Sequence, residues 1–137
     1  MSKATATFSI ELFFRALADR TRLRLLNLMS DGEICVCFFT EILDESQPKV
    51  SRHLAYLRRA GIVAARREGK WMHYRIREPA EERARALLRA TVDSLRNDPA
   101  MQRDRQKLSR LCCSPRLPAS LNGAPVPVLN GPASTTC

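Results

Sequence analysis

Histidine is scarce in these 137 residues: His53 and His73 are the only two, beside two tyrosines and one tryptophan. No nucleophile or acid is spaced along the sequence to work with His73, which argues against an enzyme. No C-x-x-C pair is present, so dithiol oxidoreductase chemistry lacks its usual spacing. Aromatics are too few to build a stacking platform for RNA. No apolar run approaches the length of a membrane span, and Glu11 and Arg15 interrupt the only early one, so neither a span nor a signal peptide is predicted. The five cysteines form an odd set, Cys35 with Cys37, Cys112 with Cys113, and Cys137 alone. That pattern argues against a disulfide framework and for a cytosolic protein with reduced thiols.

Acidic residues are almost missing from one stretch. Between residues 47 and 77 Glu68 stands alone against nine Lys or Arg, while the whole chain carries a formal +9. Nearly all the excess charge therefore sits there, as expected of a surface for nucleic acid. Within it, Gln47 to Gly61 reads as a helix of two faces. At about 100° per residue, Val50, Leu54 and Leu57 share one stripe, and Lys49, Arg52, His53, Tyr56 and Arg59 share another. Ser46 can cap the first turn, Pro48 suits an early helical position and Gly61 suits the stop. In a DNA major groove such a helix would bring Gln47, Lys49, Ser51, Arg52 and His53 to base edges, with Tyr56 on the same face.

The elements around it follow from period and punctuation. Phe8 to Ala18 reads as a helix whose apolar residues Ile10, Phe13, Phe14 and Leu17 spread wider than one core stripe, suggesting a second buried surface. Asp19 caps a second helix that Asp31-Gly32 stops. Residues 33 to 37, EICVC, favour an extended conformation, and Phe38 to Leu43 reads as a brief helix, so that this helix and the basic one make a helix-turn-helix. From Ile62 to Ile76 the period is two, with a turn at Glu68-Gly69-Lys70. This is a hairpin wing whose Arg66, Arg67 and Lys70 suit phosphate, and whose Trp71 and His73 face away from the apolar side. A helix from Pro79 carries the stripe Ala84, Leu87, Leu88, Thr91 and Leu95, to be buried against the same helix of a second subunit. Asp98-Pro99 interrupts or restarts it. The fold class is thus mainly α with a small β-hairpin, a winged helix-turn-helix over residues 1–111 that dimerises through its terminal helices. Residues 112–137 form a tail. Five of the eight prolines fall in its last 24 residues, with Arg116 the one charge, so no structure is predicted there.

In this order and spacing, ALADRTRLRLL (16–26), GEICVC (32–37), SQPKVSRHLAYLRRAGIV (46–63) and REGKWMHYRI (67–76) resemble the ArsR/SmtB family of metal-responsive bacterial repressors, from about Phe8 to Leu95. The resemblance implies a homodimeric repressor that leaves its operator, an imperfect inverted repeat in double-stranded DNA, when an inducer binds. GEICVC is similar to the arsenite-responsive branch, which implies that Cys35 and Cys37 bind trivalent arsenic or antimony and that the regulated genes confer arsenic resistance. Thiols at i and i+2 of an extended segment would also point the same way, and a helix N-terminus favours thiolate. Members of that branch commonly offer a third cysteine where this chain has Thr40. Cys112 and Cys113 are then candidate donors or a separate site, with Cys137 the weakest candidate. The zinc-sensing branch places Asp and His pairs on the last helix, where this chain has no His. Two rival readings use the same thiols: a repressor of this fold that senses oxidation, and a small cysteine-dependent enzyme.

Overall fold

The computed structural model describes residues 8–129. Helix α1 (Ile10–Leu17) starts where Ser9 Oγ accepts from the Leu12 N–H, and α2 (Arg20–Leu28) where Asp19 accepts from the Arg22 N–H. A 3-10 turn, Met29–Asp31, ends α2. Strand β1 (Ile34–Cys35) leads without a break into α3 (Val36–Leu43). Asp44 then takes a left-handed φ of 55°, a conformation that Asp tolerates better than most residues, and closes that helix. Helix α4 (Gln47–Arg59) follows with Ser46 as its cap and Pro48 in its first turn, as the sequence predicts. The hairpin of β2 (Val63–Glu68) and β3 (Trp71–Ile76) is the wing, and α5 (Glu82–Leu95) and α6 (Pro99–Cys113) complete the described helices. The core joins Phe13, Leu25, Leu26, Ile34, Phe38, Phe39, Leu54, Leu57 and Ile62, all fully buried.

Several features differ from the sequence reading. The wing is not a lone hairpin. The sheet runs β1-β3-β2, antiparallel throughout, with Cys35 opposite His73 and Ile34 opposite Tyr74. Residues 33 to 37 are not extended to their end, because helix begins at Val36; only Ile34 and Cys35 are strand. His73 does not face solvent. Strand β1 covers it, leaving it buried, and Trp71 is half-buried. The α5 stripe is divided, with Ala84, Leu88 and Leu95 buried within this chain and Leu87 left exposed.

Helix α6 is a separate helix, begun by Asp98, whose carboxylate accepts from the N–H groups of Ala100 and Met101. It packs on α2 and α3. Arg24 of α2 forks onto the buried Asp104 at 2.7 and 3.0 Å, and the buried Asn27 donates to the Met101 carbonyl while accepting from Arg105. Residues 114–129, for which the sequence predicts no structure, lie against the body, with Leu121, Ala124 and Leu129 buried in the main core. Composition explains the difference. Disorder requires low hydrophobicity or high net charge, and this stretch has prolines and almost no charge but keeps Leu117, Leu121 and Leu129 to bury. Residues 130–137, Cys137 among them, lie outside the described residues.

Replacing Arg24 by Met would leave the Asp104 carboxylate buried and unpaired. Urea denaturation should show a loss of about 2 kcal/mol. The exposed pair Arg20–Asp98 serves as the control: Arg20→Met should cost about 0.5 kcal/mol or less.

Candidate functional site

Cys35 is the last residue of β1 and the N-cap position of α3, and Cys37 is the second residue of that helix. The bend between strand and helix, rather than a straight extended run, brings the sulfurs together at 3.1 Å. Two sulfurs at that separation are within hydrogen-bond distance. Either sulfur can be the donor; with Cys37 donating, the hydrogen bond, against burial and with help from the backbone N–H groups of Cys37 and Val36 and the charge of His73, lowers the Cys35 pKa to about 6. Cys37, as the donor, is pushed well above the usual thiol value. Cys35 is 1% exposed, so an incoming ligand must reach the pair from the side of the half-buried Cys37. Thr40, in the place of a third cysteine, donates its hydroxyl to the Cys37 carbonyl at 2.8 Å.

Cys112 and Cys113 are not brought to this pair. Among the described residues no group of three or more His, Cys, Asp or Glu is assembled to hold a metal ion. Cys112 is a free thiol whose pKa burial pushes up to about 11, so it is neutral at physiological pH, whereas Cys113 is disulfide-bonded, against the expectation of reduced thiols, and a sulfur so bonded is no thiolate donor. Three residues that the sequence did not assign make the contacts next to β1 and along the wing instead. His73 lies across the strand from Cys35, and its Nε2 sits 2.8 Å from Oε1 of Glu68. Glu33, just before β1, holds Arg66 of β2 at 2.6 Å, and that guanidinium keeps the carboxyl below its ordinary pKa. The signal for these partners is the register of EICVC on WMHYRI, which local period cannot supply.

The basic surface divides in two. Gln47, Lys49 and Arg52 on α4 and Arg66, Arg67 and Lys70 on the wing are exposed, with Ser51 half-buried. His53 and Tyr56 are turned toward the body of the protein. Arg22 of α2 stacks over the Tyr56 ring at 4.2 Å, sets Nη1 3.2 Å from His53 Nδ1, and donates to the carbonyls of Ala16 and Arg15 at 2.7 and 2.9 Å. Arg22, unassigned from sequence, thereby fastens α4 to α1 and α2, and fixes the angle at which the exposed face is presented. On the wing, Arg67 donates to the Gly69 carbonyl and Lys70 lies over Trp71, which stiffens the hairpin tip.

A short helix packed against a protruding basic helix, followed by a three-stranded wing with a basic tip, defines a winged helix-turn-helix DNA-binding protein. Residues 19–65 match the arsR family of bacterial regulatory proteins. The arsenic resistance transcriptional regulator ArsR1 of Pseudomonas putida is 40% identical over 110 residues, 80% of this chain and 84% of that protein. The arsenical resistance operon repressor of Escherichia coli is 55% identical over 64 residues, 46% of this chain and 55% of that protein. Among solved structures, HlyU from Vibrio cholerae superposes with a TM-score of 0.52 at 30% identity, covering 66% of this chain and 92% of the other. The AntR antimony-specific transcriptional repressor gives 0.50 at 30% identity, over 68% and 80%. This chain belongs to the arsR family of transcriptional regulators.

A spectroscopic titration of the thiolates checks the state of the pair. One thiolate per chain should appear with a midpoint at about 6. In Cys37→Ala, which removes the donor, that midpoint should rise toward the ordinary thiol value of 9.0. The sign follows from the lowered pKa: the stabilisation that this hydrogen bond gives to the fold is complete above the unfolded value and is lost as pH falls through about 6.

Proposed function

We propose that this chain is a homodimeric repressor of arsenic-resistance genes that leaves its operator when trivalent arsenic or antimony binds Cys35 and Cys37. The observation that carries this reading is the thiol pair at 3.1 Å, one member a thiolate near neutral pH, at the entry to the helix-turn-helix. Arsenic and antimony in this state prefer soft sulfur donors. The exchange balances simply: the Cys35 thiolate and the Cys37 thiol replace two hydroxyls of arsenous acid, forming two As–S bonds and releasing one hydroxide and one water. With Thr40 turned to a carbonyl, the third position keeps its hydroxyl until a further thiol displaces it as water. The names of ArsR1, the E. coli repressor and AntR support arsenic or antimony as the inducer.

For the DNA, Gln47, Lys49, Ser51 and Arg52 at the start of α4 would meet base edges, with Arg66, Arg67 and Lys70 on flanking phosphates. His53 and Tyr56 serve by holding α4 in place rather than by touching DNA. The second subunit fits the patch formed by Ile10 and Phe14 of α1 and Leu87 of α5, which are 45%, 49% and 36% exposed, high values for such side chains. Two such subunits would set their basic helices in successive major grooves, about one helical turn apart. Inducer binding reaches the DNA by two routes at once. Cys37 belongs to α3, on which α4 packs, and Cys35 belongs to the sheet of the wing, with Glu33 holding Arg66 beside it. Coupling between two such sites is typically about 1–3 kcal/mol.

Anisotropy of the reduced protein on a labelled duplex from upstream of its own gene, at fixed salt, tests this reading. Arsenite should release the wild type, while Cys35→Ser and Cys37→Ser should bind the duplex within about two-fold of wild type and stay bound. Serine variants that still release on arsenite would remove the site. Release by peroxide in preference to arsenite would favour an oxidation-sensing pair instead.

A further inference from the structure

Helix α3, VCFFTEIL, is apolar nearly all the way round, and none of its eight residues is fully exposed. Such a helix needs cover on every side. The outer cover is the segment 114–129, whose 3-10 turn Ala119–Leu121 packs on α3. The segment brackets the thiol pair from both ends. On the far side of the pair, Ser120 donates its hydroxyl to the Glu41 carboxylate, and Lys107 of α6 places its ammonium 3.5 Å from the carbonyls of Glu41 and Ile42, where the end of a helix favours positive charge. On the near side, the carbonyl of Val128 passes so close to Gly32 that a Cβ there would lie 2.6 Å from it. Gly32 has φ 161° and ψ −178°, extended backbone open to any residue. Its lack of a side chain therefore serves the approach of this segment and not a turn. Apart from Arg116 the segment carries no charge, so it is seated by the burial of Leu121, Ala124 and Leu129 and by few polar bonds.

We propose that residues 114–129 are a clamp on α3: they hold the helix and its thiol pair in the arrangement that binds operator, and so set how much inducer is needed to displace it. The clamp rests on the inducer site proposed above. If the seated state binds operator and the displaced state binds arsenite, anything that weakens the seat moves the equilibrium toward the displaced state. Arsenite affinity then rises, and operator affinity stays equal or falls.

Gly32→Ala is the test, since its methyl must push the Val128 carbonyl aside without straining its own backbone. In the full-length reduced protein, tryptic cleavage after Arg116 reports the seat, thiolate–arsenic absorbance reports arsenite affinity, and anisotropy reports operator affinity. Gly32→Ala should be cut faster, bind arsenite about 3- to 10-fold more tightly and bind operator no better than wild type. Faster cleavage with arsenite affinity unchanged would make the segment a passive cover and overturn the clamp. Cleavage no faster than wild type would overturn the seat over Gly32. Should Gly32→Ala fail to fold by circular dichroism, Ser120→Ala, which removes no core atom, must shift arsenite affinity in the same direction or the clamp is wrong. A wild type that binds no arsenite overturns the inducer site and the clamp with it, whereas tight wild-type binding with unaltered variants overturns the clamp alone.

Discussion

The pairing of β1 with β3 is the constraint on which the rest of this structure depends. It is only two residues long, yet one of them is Cys35 and its partner is His73 of the wing. Through that pair, one backbone segment is at once the edge of the wing sheet and the approach to α3. The turn from strand to helix at Cys35 then folds the Cys37 sulfur back to 3.1 Å. In a straight strand the two side chains would stand further apart, and in a continuous helix they would diverge. The junction makes the thiol pair, and the sheet ties the pair to the wing.

Charge and packing divide the labour around it. The buried and half-buried cations hold the scaffold: Arg22 joins α1, α2 and α4, and Arg24 and Arg105 hold α6 to α2. The exposed ones, Lys49, Arg52, Arg67 and Lys70, have only weak or local partners, so binding a polyanion to them costs little in lost internal bonds. Arg66 lies between these roles, exposed yet forked onto Glu33. Because Glu33 directly precedes β1, a shift of that segment would alter the ion pair that holds Arg66.

The sequence made the helices legible because each has its own punctuation. Asp19, Ser46 and Asp98 cap the helices that they precede, and the Val50, Leu54 and Leu57 stripe is buried as its period requires. The thiol pair was legible as a pair, and the basic face of α4 as a face. Residues that depend on long-range register were not. His73 looks exposed when the wing is taken as a two-stranded hairpin and becomes buried once β1 is laid on it. His53 and Tyr56 share a helical face with Lys49 and Arg52, but a helix of this radius can turn the edge of that face toward a neighbour, and Arg22 lies there. The segment 114–129 was hidden by its prolines, which obscure any period, while its leucines supply the burial.

If the thiol pair and the wing move as one unit, hydrogen exchange of the operator-free protein, with and without arsenite, will show it. Amide protection should change at Ile34 and Cys35 and, across the strand, at His73 and Tyr74, as well as in α3, and a variant with both Cys35 and Cys37 replaced by Ser should show none of these changes. A response confined to α3, with the β3 amides unaltered, would contradict it.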